Sequence, residues 1–203
     1  MTAHTFTKGI QKMAEYFPLF RRAAQNVVLI IGGNAEADKK AQKLSEYPFD
    51  IVFCREKVTD IKKLLSDVSP DIVILADKNL CHKKELYALC CERRIEINTV
   101  DDAENSSFIF PSLVTKGKLS VAISTDGACP AAAAKLRSEI EKILPDETDA
   151  IIDQLAQIRS RVANTDGERR RIMKELCFAA FEKRRPLSDA EIGEIIKNEK
   201  NKK

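Results

Sequence analysis

The run Val27-Val-Leu-Ile-Ile31, followed at once by Gly32-Gly33, constrains this chain more than any other feature in it. Its five consecutive branched aliphatics show no alternation of apolar and polar, so the run reads as a strand buried on both faces of a parallel sheet. The glycines then turn the chain into the alanine- and lysine-rich stretch 35–45, which reads as a helix. In the phrase G-x-G-x-x-G/A the first glycine makes the strand-to-helix turn, the second lets backbone approach a pyrophosphate, and the third lets helix and sheet pack closely. Here Gly32 and Ala37 hold the outer places and Asn34 the middle one. Asparagine tolerates positive φ, but its side chain takes up space a phosphate needs. Two readings stand. Either Gly32, Gly33, Asn34 and Ala35 offer backbone contacts to a nucleotide at the helix start, or the glycines only turn a strand into a helix.

The pattern repeats: strand 50–54, helix 59–68, strand 71–76, helix 80–93, strand 95–100. This βαβαβαβ order predicts a parallel sheet with right-handed crossovers. Such sheets bind ligands outside their carboxyl ends, which singles out Ala76 and Asp77 after the third strand and Asp101 after the fourth. Asp101, with Asp102 beside it, reads equally as a loop cap. The acidic residue that binds a ribose hydroxyl about 20 residues past the fingerprint has only Asp50 or Glu56 as substitutes, and Arg55 suits a phosphate instead. Residues 1–22 read as a short helix whose Phe17, Leu19 and Phe20 pack on the sheet edge. Beyond residue 106 the texture changes. Strands are expected at 107–114 and 119–124 around Lys116-Gly117-Lys118, then helices at 131–144, 147–162 and 167–183, and one begun by the capping box Ser188-Asp-Ala-Glu191. The expected class is α/β: a Rossmann-like sheet domain (1–106), a small strand-pair region (107–144) and a helical carboxyl-terminal domain (145–203).

A length of 203 residues with 44% hydrophobic and 32% charged content is ordinary for a globular protein that buries a core. The six cysteines show no C-x-x-C spacing, and the adjacent Cys90-Cys91 argues against a disulfide framework. A reducing cytoplasm and no metal site are therefore expected. No apolar run reaches the roughly 18 residues of a membrane span. The formal charge of +3 is carried mainly by runs such as Arg169-Arg-Arg171 and Lys183-Arg-Arg185. These read as solvated helix faces, and no aromatic-rich motif accompanies them, so neither nucleic acid nor membrane is an expected partner.

Taken in order, several landmarks resemble the precorrin-2 dehydrogenase and sirohydrochlorin ferrochelatase family of siroheme synthesis. They are Phe17-Pro-Leu-Phe20, the strand with Gly32-Gly33, Asn98-Thr-Val-Asp101, Ser107-Phe-Ile-Phe-Pro-Ser112, Leu119-Ser-Val-Ala-Ile-Ser-Thr-Asp-Gly127, Cys129-Pro130, Arg137 and Gly167-Glu-Arg-Arg170. The resemblance implies NAD-dependent oxidation of precorrin-2 to sirohydrochlorin, in some members followed by Fe2+ insertion, in a homodimer. It implies that Asp101 does the acid-base work, which suits a reaction that removes a hydride and a proton. It also implies that Ser124, Thr125, Asp126 and Gly127 lie by the tetrapyrrole and meet its carboxylate arms; the same residues read as a plain turn. Lys116, Lys118, Lys135 and Arg137 are nearby cations that read as solvent-facing.

Three departures fall on the cofactor side: Asn34, a shortened stretch before the strand at 71–76, and Ala76-Asp-Lys-Asn79 in place of an Ala-Thr-Asp-type turn. They leave open an alternative, a member that has lost NAD binding and serves as a sirohydrochlorin chelatase or tetrapyrrole-binding protein.

Overall fold

The computed structural model describes residues 16–77, 80, 82–162 and 165–201. The expected helix over 1–15 and the residues Lys78, Asn79 and Cys81 lie outside these. The chain divides into two compact units, one through Phe110 and one from Pro111.

The first unit is a four-stranded sheet in the order β2-β1-β3-β4, parallel throughout. Its strands are β1 (Val27–Ile31), β2 (Asp50–Cys54), β3 (Ile72–Leu75) and β4 (Glu96–Thr99), alternating with α1 (Ala35–Leu44), α2 (Ile61–Val68) and α3 (Lys83–Glu92). The strand side chains alternate between two cores, as the two-residue period of a strand requires. Leu29, Ile31, Val73, Leu75 and Ile97 pack with Ile61 and Leu65 of α2 and Leu86 and Cys90 of α3. Val28, Ile30, Ile72 and Ile74 face the other way, onto Ala37 and Leu44 of α1, with Phe108 and Phe110 at the margin. Both faces are covered, which is why β1 and β3 could be unbroken aliphatic runs. From β1 the chain crosses to β2 on one side and then returns to β3 on the other. The switch point lies between β1 and β3.

Two expectations fail here, each for a visible reason. Phe17, Leu19 and Phe20 do not pack on the sheet; they are 85%, 78% and 72% exposed, and residues 16–22 are not helical. Arg21 instead ties the segment to the amino ends of the strands through Glu96 (2.9 Å) and Asp71 (3.9 Å). The strand expected at 107–114 starts only at Ser112. Residues 107 and 108 are held against β4 by mixed bonds: Ser107 N–H donates to Ile97 O (2.7 Å), Ile97 N–H to Ser107 Oγ (2.8 Å) and Asn98 Nδ2 to Phe108 O (3.0 Å).

The second unit begins with an antiparallel hairpin, β5 (Ser112–Lys116) and β6 (Leu119–Ile123), in the register Val114 opposite Val121. Four helices follow: α4 (Pro130–Ile143), α5 (Thr148–Arg159), α6 (Asp166–Lys183) and α7 (Asp189–Asn201). Ile151, Leu155, Ile172, Leu176 and Leu187 form the core of the last three. The end of α4 is capped from afar. Arg184, left-handed at φ 57° after α6, donates to Ile143 O and Leu144 O at 3.1 Å each, satisfying carbonyls that helix geometry leaves unpaired.

The start of α7 is the capping box read from the sequence. Ser188 N–H donates to Glu191 Oε2 (2.7 Å), and Glu191 N–H to Ser188 Oγ (3.4 Å). Arg185, Lys183 and Ser188 hold the Glu191 carboxyl well below the usual carboxylate range. A depressed folded-state pKa gives stability that is present above the ordinary value of 4.5 and lost as pH falls below it. Amide exchange at the start of α7 should therefore speed up as pH drops below about 4.5, after correction for intrinsic rates. In Glu191→Gln it should already be fast at pH 7 and flat with pH; a wild-type profile equally flat would contradict this.

Candidate functional site

The carboxyl ends of β1 and β3 meet at Gly32. Its φ is +138°, and a Cβ added there would lie 3.1 Å from Asp77 N and 3.2 Å from Ala76 C. A side chain is therefore excluded both by conformation and by the backbone that leaves β3. Gly32 N–H donates to Cys54 O (2.9 Å) and Ala76 N–H to Ile31 O (2.8 Å), carrying both ladders a residue past the strands. Gly33 faces the opposite loop, with a Cβ there placed 3.3 Å from Arg55 O. The two glycines thus fill the gap between the chain leaving β3 and the chain leaving β2.

Asn34 is the N-cap of α1, with extended backbone at φ −106° rather than the positive φ its place in the fingerprint suggested. Its Oδ1 accepts from Ala37 N–H (3.0 Å) and its Nδ2 donates to Ala76 O (2.7 Å). One amide thus starts the helix and spans the switch point. Ala37, in the third place of the motif, is fully buried and lets α1 close onto the sheet. Ala35 and Glu36 follow the cap, and helix geometry leaves their N–H groups without an intrahelical acceptor. Asn34 therefore takes only part of the anion-binding capacity of this helix end. The turn, the flush alanine and the two N–H groups fit a dinucleotide. The acidic side chains of the first turn oppose it, although each is offset by a partner: Glu36 by Lys39 (2.8 Å) and Asp38 by Arg55 (2.7 Å).

Asp101 and Asp102 follow β4 and divide their work. Asp102 is structural: its carboxylate takes Lys83 (2.6 Å) and Asn105 Nδ2 (3.0 Å) and caps the short 3-10 turn Ala103–Asn105. The hydrogen bond from Lys83, and then that from Asn105, hold its carboxyl below the ordinary range. Asp101 is exposed and left-handed at φ 60°, a conformation aspartate tolerates at some cost. Its charge is felt on α1, at Glu36 and Lys40. Lys40 lies 4.1 Å from the centroid of the Phe110 ring. Burial pulls its ammonium below the ordinary lysine range, with Lys43 adding to that and Glu36 and Asp101 opposing it. The carboxyl end of the sheet thus brings together Gly32, Gly33, Asn34, Ala76 and Asp77 at the switch point, with Asp101 beside α1. Lys40 and Lys83 were not singled out from sequence; only the four-residue step from Glu36 to Lys40 hinted at one of them.

In the second unit, Ser124, Thr125, Asp126 and Gly127 form the loop between β6 and α4. Asp126 N–H donates to Ser124 Oγ (3.0 Å) and Cys129 N–H to Thr125 Oγ1 (3.1 Å), while Asp126 and Gly127 both have positive φ. The hydroxyl oxygens hold the loop, and each hydroxyl keeps a proton to donate. The neighbouring cations are paired: Lys116 with Asp146, Lys118 with Asp153, Lys135 with Glu139 and Arg137 with Glu141.

An open parallel sheet carrying a glycine turn at its switch point defines a nucleotide-binding α/β fold, and residues 19–112 match the family described as "Putative NAD(P)-binding". Residues 116–143 match the family described as "Sirohaem biosynthesis protein central". Siroheme synthase 2 of Pectobacterium atrosepticum is 32% identical over 164 residues, covering 73% of this chain and 36% of that protein. Siroheme synthase 2 of Yersinia pestis is 31% identical over 199 residues, covering 87% and 42%. The solved structure of "SirC, precorrin-2 dehydrogenase" superposes with a TM-score of 0.65 at 15% identity over 91% of this chain and 99% of that one, and so has the same fold. These matches place the chain among proteins of siroheme synthesis that carry an NAD(P)-binding segment followed by a sirohaem central segment. It spans 36–42% of the length of these two curated relatives.

Replacing Asn34 with Ala removes the cap and the strut together. The cap is worth about 1 kcal/mol and the bond to Ala76 O about 1 kcal/mol, so the first unit should lose about 1–2 kcal/mol in urea unfolding and the Ala37 amide should exchange faster. A loss of only a few tenths, with Ala37 exchange unchanged, would contradict the geometry.

Proposed function

We propose that this protein oxidises precorrin-2 to sirohydrochlorin, with a nicotinamide dinucleotide held at the Gly32-Gly33 turn. On the family resemblance alone that dinucleotide is NAD. The observation that carries the reading is the placement of Asp101: a carboxylate just past the carboxyl end of β4, in the same parallel sheet that carries the Gly32-Gly33 turn.

Dehydrogenation of a reduced tetrapyrrole removes a hydride and a proton. The bound cofactor supplies the hydride acceptor. Gly33, Asn34 and Ala35 would hold its pyrophosphate through backbone N–H groups, with Gly32, whose own N–H is taken by Cys54 O, allowing the close approach, and Ala76 and Asp77 would border it across the switch point. Asp101, in the position to which the family resemblance gives the acid-base work, takes the proton; Asp102 is bound to Lys83 and Asn105. In the second unit, the family resemblance gives Ser124 and Thr125, in a loop shaped by Asp126 and Gly127, the role of donating hydroxyl protons to carboxylate arms of a tetrapyrrole. The protein acts as a homodimer in the cytoplasm. The same carboxylate would serve insertion of Fe2+, which releases pyrrole protons; iron is then a substrate. Among the described residues no helix is long and apolar enough to cross a membrane. The alternative without nucleotide is not favoured, because the Gly32 turn is intact.

Asp101→Asn should lower anaerobic precorrin-2 turnover by at least about 10²-fold, with far-UV circular dichroism and dinucleotide affinity retained. Turnover within a factor of two of wild type would remove Asp101 from the mechanism.

A further inference from the structure

Cys54 ends β2, and Arg55 is the first residue beyond it. In nucleotide-binding sheets of this kind a carboxylate near this place accepts from the ribose hydroxyls, whereas an arginine accommodates a phosphate on the 2′ oxygen. Three contacts equip Arg55 for the second task. Its backbone lies against the glycine turn, where a Cβ on Gly33 would be 3.3 Å from Arg55 O and 3.8 Å from Arg55 Cβ. Its guanidinium sits 4.4 Å from the centroid of the Phe53 ring, which orients the planar group. Its Nη2 donates to Asp38 Oδ1 (2.7 Å) on α1, which fixes the reach of the side chain. A guanidinium has five N–H donors, so one bond to Asp38 leaves others for a ligand, and the side chain is 51% exposed. Resting on the dehydrogenase reading above, we infer that Arg55 binds the 2′-phosphate of a phosphorylated nicotinamide dinucleotide and makes NADP, rather than NAD, the preferred cofactor of this chain.

The chemistry is one of matching. The ribose hydroxyls of NAD offer a guanidinium only neutral oxygen acceptors. A phosphate dianion fits the guanidinium fork in a two-pronged, charge-assisted contact. Asp38 competes for the same group, so the preference is tempered by that carboxylate and by salt.

Calorimetric titration of the full chain with NADP+ and with NAD+ at low salt tests this without any turnover. NADP+ should bind about tenfold or more tightly than NAD+, and the ratio should narrow as salt rises from about 50 to 500 mM. Arg55→Gln should bring the two affinities together, Arg55→Lys should keep part of the preference, and Asp38→Asn should widen it, each with the wild-type far-UV spectrum. Equal or tighter binding of NAD+ by the wild type, or a preference that survives Arg55→Gln, overturns the role of Arg55 and leaves the dehydrogenase reading standing. Binding of neither dinucleotide at millimolar concentration overturns both.

Discussion

The structure turns on the absence of one atom. At Gly32 the chain must leave β1 at positive φ while passing within 3.1–3.2 Å of the backbone that leaves β3. Only a residue without a Cβ does both at low cost. That close passage brings α1 onto the sheet at Ala37 and sets its first turn beside the switch point. Asp101, one strand further along, owes its place to the same parallel register, since the β3–β4 pairing runs Leu75 opposite Thr99.

Asn34 shows how a motif can depart from its pattern and stay useful. The middle glycine of the fingerprint exists to let backbone approach a phosphate. Here the residue keeps an extended backbone and spends its side chain on Ala37 N–H and Ala76 O. The switch point gains a strut between the β1 and β3 loops and gives up one N–H of the helix start. The sheet also has one strand beyond β1 where the order of a dinucleotide-binding half has two, so β2 is an edge and Arg55 at its end stands open to solvent. In the proposed dehydrogenase these departures alter what the rim of the nucleotide site can bind.

Much of the architecture was legible because burial on both faces writes itself into sequence. The aliphatic runs at 27–31 and 72–75, the glycine turn and the Ser188–Glu191 box each carry a local physical requirement that one residue pattern satisfies. What could not be read depended on partners distant in the chain. Nothing local distinguishes Asp101 from Asp102; the distinction comes from Lys83, on a different helix. The aromatic Phe17-Pro-Leu-Phe20 segment looked by composition like packing for the sheet edge, but Arg21 ties it instead to Glu96 and Asp71. The Ser107-Phe108 stretch has strand-like residues, yet its hydroxyl and main chain bond the β4 edge irregularly, and composition does not encode that.

The account rests on a nucleotide crevice between the carboxyl ends of β1 and β3. Amide chemical shifts of the isotope-labelled protein during titration with NADP+ address it most directly. Saturable shifts of Gly32, Gly33, Ala35, Ala76 and Asp77, larger than those elsewhere in the sheet unit, are the expected result. Saturation with these five amides unmoved and the response centred on other residues would contradict it.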